Sequence, residues 1–337
     1  MTQKTMEAAT LEKVKTAAPE LPVAKGRAAR DVLMTAVKIA ISAGLIYYIL
    51  RQTNIAEIWA AMKSANPWLL VAAFTLHGVG YVSSAYRWRL LLQAQRHDLP
   101  IPFLVQSLAA AVFFNNLLPS TIGGDAMRAY DTTRRGVDKM KSIAIVIVDR
   151  FLGLFALMIF AVVALSLATE LTGKIENLWL WSLLTFVGMA ALAWILFVKK
   201  VDFNWLWNKP PFSIIKKPIK KITTAFADFQ GKRKTLFWAM MLSLLLQLAV
   251  VAHYYLISLA LDLPIPFVKF LVIVPISTFV MMIPISINAI GLRENVSVFF
   301  LTIYGATIPA SIAFAWITYG MVVLLGILGG VIYAVRK

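Results

Sequence analysis

Six long apolar stretches constrain this chain more than any other feature: Val32–Leu50, Trp68–Tyr86, Ile143–Ala168, Leu178–Val198, Leu236–Leu261 and Ile308–Tyr333. A helix of 19 residues, the length of the shortest, is about 28 Å long and crosses a hydrocarbon core. With 60% of 337 residues hydrophobic and 15% charged, a water-soluble fold could not hide the apolar surface, so lipid must cover much of it. The reading is an all-α polytopic membrane protein with about six spanning helices. The net charge of +17, from 33 Lys and Arg against 16 Asp and Glu, lies mostly between the apolar stretches. There it sets topology and meets anionic lipid headgroups, and nucleic acid is not an expected partner. No Cys is present, and His77, His97 and His253 have no HExxH-type spacing. No metal, cofactor or catalytic residue is therefore expected, and the histidines read as packed or hydrogen-bonded within helices.

Two further apolar runs, Phe103–Leu118 and Phe267–Ile283, are short and end at Pro119 and Pro284. Short length and a terminal proline point to re-entrant segments, and the positive-inside rule arbitrates. If Phe103–Leu118 crossed, Arg128, Arg134, Arg135, Lys139 and Lys141 would all lie outside; if it dips and returns, they stay in the cytoplasm with the six Lys and Arg of the N-terminal tail. The extracytoplasmic side then keeps only Arg51, Lys63, Lys174 and Lys269. The expected organisation is a mobile cytoplasmic tail over 1–31, a membrane half over 32–198 with a re-entrant element at 103–137, a basic cytoplasmic linker over 199–235, and a second membrane half over 236–337 with a re-entrant element at 267–304. Both termini face the cytoplasm across the inner membrane. The first apolar run is too long for a signal core, and no small-residue cleavage site follows it before Arg51. The linker segment Ile214–Ile222 reads equally as a basic amphipathic surface helix or as a solvated loop interrupted by prolines.

The string DLPIPF occurs twice, at Asp98–Phe103 and Asp262–Phe267. Each copy is followed by an apolar run, a proline and, nine residues later, an arginine: Arg128 or Arg293. The same order of features over some 70 residues is the mark of an internal repeat. With the topology above, the two copies enter from opposite sides, an arrangement that places a substrate site near the midplane between interrupted helices. Lipid cannot satisfy the backbone N–H and C=O groups of such breaks, so a polar cavity is expected there.

The first break carries Asn115, Asn116, Ser120, Thr121, Gly123, Gly124, Asp125 and Arg128: amides, hydroxyls, a carboxylate and a guanidinium beside glycines. Arg128 and a helix N-terminus both favour an anionic phosphate, and Asp125 could cap that helix. A self-satisfied turn with Asp125 paired to Arg128 is the blander alternative. The second break carries Ser286, Asn288, Gly291, Arg293 and Glu294, with an Arg293–Glu294 surface patch as its alternative. Asp149 and Arg150 lie two turns inside a span, about 100° apart on the helix, so each needs a partner elsewhere. The expected contacts are Asp149–Arg128 or Arg150–Asp125.

At three motifs the chain resembles the flippase-like transmembrane family of the lysylphosphatidylglycerol synthase membrane domain, also called UPF0104: NNLLPSTIGGDAMRAY at 115–130, VDRFLG at 148–153 and IGLRE at 290–294. The resemblance extends from about Val32 to Tyr333. It implies translocation or binding of a polar lipid, such as an aminoacylated phosphatidylglycerol or a lipid of hopanoid or polyprenyl-linked pathways. It implies a lipid-path role for Asn116, Ser120, Gly123, Gly124, Asp125, Arg128, Asp149, Arg150, Gly291, Arg293 and Glu294. The chain ends four residues after its last span, so the expectation is that no soluble aminoacyl-transferase domain is attached. The function expected is a lipid flippase or transporter moving a polar, phosphate-bearing headgroup, with anionic membrane lipids as partners and a homodimer or a lipid-synthesising enzyme as further candidates. No GxxxxGK[ST] loop is present to couple it to ATP. The alternatives are a membrane-embedded lipid-modifying transferase and an accessory subunit that presents lipid to an enzyme.

Overall fold

The computed structural model describes residues 25–117, 122–167, 177–197, 226–283 and 285–336. Eleven α-helices and one 3₁₀ turn account for nearly all of them: α1 (Lys25–Leu50), α2 (Ile55–Ser64), α3 (Pro67–Ala94), α4 (Ile101–Leu117), α5 (Ile122–Arg134), α6 (Lys139–Leu167), α7 (Leu178–Phe197), α8 (Arg233–Ala260), α9 (Phe267–Met281), the 3₁₀ turn Ile287–Ala289, α10 (Leu292–Ile303) and α11 (Ile308–Val335). No strand occurs among the described residues. Helices pair every interior N–H and C=O within one segment, which a chain this apolar needs once lipid replaces water. Four are long and apolar enough to cross a membrane: α3, α6 over Lys139–Val163, α8 and α11. Ala36–Leu50 of α1, and α4 and α9, are shorter apolar helices.

Several boundaries differ from the sequence reading. The helix α1 begins at Lys25, inside the segment read as mobile tail, whose first 24 residues lie outside the described part. Helix α2 was not foreseen. It is a ten-residue amphipathic helix capped by the Asn54 side chain, which accepts from the Ala56 N–H at 2.9 Å. Ile58 is buried against Ile312 and Ala313 of α11, while Trp59 faces outward. The largest difference is in α3, which continues eight residues past Tyr86, because Arg87 does not end the span but is buried within it. Of the linker read over 199–235, residues 199–225, with the Ile214–Ile222 pattern, lie outside the described part. Its end is no solvated loop: Phe226 and Phe229 are buried against the Trp88–Leu92 region of α3.

The helices on either side of the two DLPIPF strings, one before each and three after, correspond in order and length. The pairs are α3 and α8, both 28 residues; α4 and α9, of 17 and 15; α5 and α10, of 13 and 12; and α6 and α11, of 29 and 28. Their packing corresponds too. The α3–α8 seam is the most extensive among the described helices, α4 lies on α11 as α9 lies on α6, and α3–α6 matches α8–α11. Along the α3–α8 seam the Asn66 N–H donates to the Ala260 carbonyl, His253 meets the Ala73 carbonyl, Arg87 meets Ser243 and Gln95 meets the Asp228 carbonyl. One set of numbers rises as the other falls, so these two helices run antiparallel.

Each copy also contains a helical hairpin. In the first, Arg135 sits over the Phe103 ring at 4.6 Å while Gly124 abuts Asn115, so α5 folds back along α4. In the second, Lys269 at the start of α9 sits over Tyr304 at the end of α10, 5.2 Å from the ring centre. Lipid supplies no hydrophobic drive for helices to associate, so close approach and shape hold them. The α4–α11 contact is the clearest case. A Cβ on Gly326 would collide with the Asn116 amide, and one on Gly329 with the Ala109 carbonyl.

Candidate functional site

Four helices meet at one carboxylate. Asp149, in α6, is 1% exposed and accepts from Arg87 Nε of α3 at 2.7 Å through one oxygen and from Arg128 Nη2 of α5 at 2.9 Å through the other. Arg87 also donates through Nη1 to Ser243 Oγ of α8 at 2.9 Å, and that hydroxyl passes its own hydrogen to the Ala239 carbonyl. Arg128 lies on the face of Trp88, 4.3 Å from the ring centre, where the ring quadrupole favours a cation. The Gly153 position faces the Arg87 guanidinium with no side chain in the way, a candidate Cβ standing 3.7 Å from it. Asp149 stands ten residues into α6 and Arg87 seven from the end of α3, so the cluster is about 10–15 Å inside the helix ends at 1.5 Å per residue.

A second, more open pair extends the cluster outward. Arg150 Nε donates to both oxygens of Asp125, at 3.0 and 2.8 Å, and Asp125 stands 3.8 Å from Arg128 Nη1. Both contacts foreseen for the adjacent charges of α6 are therefore present, as is the Asp125–Arg128 pairing. Three guanidinium groups here face two carboxylates, and the Nε of Arg128 is buried without an acceptor among the described residues.

Asp125 does not cap its helix. The α5 helix starts at Ile122, which leaves Asp125 inside the first turn. Asn115 supplies a side-chain acceptor instead, taking the Gly124 N–H at 2.7 Å. Gly124 is packed so tightly against the Ala111 carbonyl and Asn115 that a Cβ would stand 2.6 Å from that carbonyl. Gly123 precedes it in the same turn, partly buried. Ser120 and Thr121 lie outside the described residues, as do Pro119 and Pro284.

The second break wraps around α1. Asn288 (φ 53°) and Ala289 (φ 58°) adopt left-handed backbone, and Gly291 follows at φ 81°. Such a run costs a non-glycine residue about 1–2 kcal/mol, offset here by hydrogen bonds. Ser42 Oγ of α1 accepts from the Ile287 N–H, Glu294 accepts from the Gly291 N–H at 2.7 Å, and the Asn295 side chain donates to the carbonyls of Gly291 and Leu45. Glu294 is 3% exposed, so the surface-patch reading of Arg293–Glu294 fails. Arg293 donates to the Asn288 carbonyl at 3.2 Å and stacks on Tyr319 at 4.2 Å, and its Nη1 is buried without a partner. It borders a cavity of about 10 Å³ lined also by Ser277, Ser297 and Thr318, room for one water. Ser286 is buried, and its hydroxyl also has no partner.

The sequence reading missed Arg87, Ser243 and Trp88. Arg87 falls one residue past the apolar run Trp68–Tyr86, so hydropathy ends the span before it, and no sequence signal links Ser243 or Trp88 to Asp149.

A polytopic α-helical membrane protein with a buried arginine–carboxylate cluster beside paired helical hairpins is the class that this fold and site define. The family described as "Lysylphosphatidylglycerol synthase TM region" matches residues 35–330, and the chain belongs to that family. It is also similar to two proteins named "UPF0104 membrane protein". The one from Archaeoglobus fulgidus is 27% identical over 155 residues, 45% of this chain and 47% of that one; the one from Methanothermobacter thermautotrophicus is 27% identical over 101 residues, 30% and 28%. The matched stretch thus spans less than half the length of either relative.

Proposed function

We propose that the chain is a lipid flippase of the inner membrane that moves a polar, phosphate-bearing headgroup between leaflets along the meeting line of its two hairpins. In this reading α1, α3, α6, α7, α8 and α11 span the bilayer, and both termini are cytoplasmic. The hairpins α4–α5 and α9–α10 are re-entrant and enter from opposite sides, as an inverted repeat. The antiparallel run of α3 against α8 supports that inversion, since equivalent helices of a parallel repeat would point the same way.

One observation carries the reading. Arg128 and Arg293, nine residues after corresponding prolines, each keep a buried N–H that no acceptor among the described residues takes. An unpaired guanidinium N–H at such a site costs free energy that an anionic headgroup oxygen would recover. The flippase reading is preferred to a transferase because both oxygens of Asp149 and both of Asp125 already accept from arginines, leaving neither free as a base.

The test is reconstitution into phosphatidylcholine vesicles carrying a trace of headgroup-labelled phosphatidylglycerol, with an impermeant quencher reporting outer-leaflet label. Wild-type chain should expose inner-leaflet label to quenching. Arg128→Ala and Arg293→Ala should each slow exchange about tenfold or more, the loss of one charge-assisted hydrogen bond of about 1.5–3 kcal/mol. Exchange at the wild-type rate in both variants would remove the site, and formation of a modified lipid by the purified chain would replace transport with catalysis.

A further inference from the structure

A larger cavity with a polar patch in a mainly apolar wall opens on the α3–α8 seam, one helical turn from the arginine cluster. Its volume is about 220 Å³, and its polar lining is His77, Tyr81 and Ser84 of α3 with Gln247 and His253 of α8. That is far beyond the roughly 10–15 Å³ that admits one water. Its depth follows from the helices: Gly80 and Leu246, both in the lining, stand halfway along their 28-residue helices. The cavity is thus at the mid-depth of two spans, where polar groups without partners are costly and mark functional sites.

The histidines specify what it can hold. Their rings lie 4.6 Å apart, centre to centre. His253 is 1% exposed and its Nδ1 is 2.9 Å from the Ala73 carbonyl, while the Nε2 atoms of both His253 and His77 are buried without a partner among the described residues. A carbonyl only accepts, so Nδ1 of His253 carries the hydrogen and the Nε2 of a neutral ring is an acceptor. A charged ring would instead leave an unpaired donor and a full charge at mid-bilayer depth. No Lys, Arg, Asp or Glu lines the cavity among the described residues. Gln247 and the Tyr81 and Ser84 hydroxyls add neutral donors and acceptors. The occupant must therefore donate a hydrogen bond and carry no net charge, which excludes a phosphate dianion and fits a hydroxyl-bearing headgroup.

We infer that the α3–α8 cavity is a binding site for the uncharged polyhydroxyl headgroup of a glycolipid-type membrane lipid, held by His253 Nε2. This binding does not depend on the transport proposed above.

The chain has three histidines, so nitrogen-15 spectra of histidine-labelled full-length protein resolve each ring. The protein is placed in phosphatidylcholine vesicles, undoped or doped at equal mole fraction with monoglucosyl diacylglycerol or with phosphatidic acid. The glucosyl lipid should shift the Nε2 resonances of His253 and His77 and leave His97 in place, and phosphatidic acid should shift none. Ser84→Phe, which fills the cavity, should abolish the shift at an unchanged melting temperature. Absence of a shift in the wild type, or the same spectrum with and without the glucosyl lipid, means the cavity holds only water and overturns the site. A shift with phosphatidic acid alone overturns the uncharged-hydroxyl assignment.

Discussion

Asn288 and Asn116, 172 positions apart, join the two interrupted regions directly: the Asn288 side-chain amide donates to the Asn116 carbonyl at 3.4 Å. Asn116 uses its own amide on the Val322 carbonyl of α11 at 3.1 Å. The end of α4, the 3₁₀ turn and α11 therefore meet at one residue. This is where the end of α4 touches the turn before α10.

That contact is open to chemical cross-linking, because the chain contains no cysteine. The double variant Asn116→Cys with Asn288→Cys should be joined by a short thiol-specific cross-linker, detected by mass spectrometry of the digested protein. The pair Asn116→Cys with Thr75→Cys, the latter exposed on α3, should not.

Asp149 holds two guanidinium groups in a dry environment, which makes the two ways of breaking the cluster unequal. Asp149→Asn leaves Arg87 buried without a counter-charge and Arg128 with only the longer Asp125 contact, and should cost about 3–5 kcal/mol. Arg87→Met leaves Asp149 paired with Arg128 and should cost less. Melting temperatures in one detergent should rank wild type above Arg87→Met above Asp149→Asn, and the reverse order of the two variants would contradict the geometry.

The α4–α11 seam depends on missing side chains. A methyl at Gly329 meets the Ala109 carbonyl of α4, so Gly329→Ala should force the helices apart and cost about 1–3 kcal/mol. Gly44 in α1 has nothing within 4 Å of a new Cβ. There the same change should be neutral or stabilising by up to about 1 kcal/mol through helix propensity. Thermal unfolding of the two variants compares them directly.

Asp98, in the exposed loop after α3, accepts from Arg89 Nε and Nη2 at 2.7 and 2.9 Å. The Arg89 hydrogen bonds hold its carboxyl below the ordinary value of 3.8. A depressed carboxylate contributes stability that is present above the unfolded value and lost as pH falls through the folded one. Amide exchange over residues 95–100 should therefore be insensitive to this group from neutral pH down to that ordinary value. Protection should fall only below it, and Asp98→Asn should remove the acid-range change.

The helical class and the membrane location were legible in the sequence for a local reason: long uncharged runs exclude a soluble fold. The site was legible at Asp125, Arg128, Asp149 and Arg150, because adjacent charges on one helix turn cannot neutralise each other and must find partners. Arg87 was not, since a charged residue beside Arg89 at the end of an apolar run looks the same whether the helix stops or continues.

Helix identity, span length and the need for charge pairing follow from hydrophobicity and backbone hydrogen bonding along a single segment, so the chain's linear order decides them. Which helices are neighbours does not. Ser243 reaching Arg87, the histidines of α3 and α8 sharing a cavity, and Asn288 reaching Asn116 all depend on packing between residues more than 150 positions apart. Small residues and hydrogen bonds set that packing, because lipid leaves the apolar faces with little preference for one another.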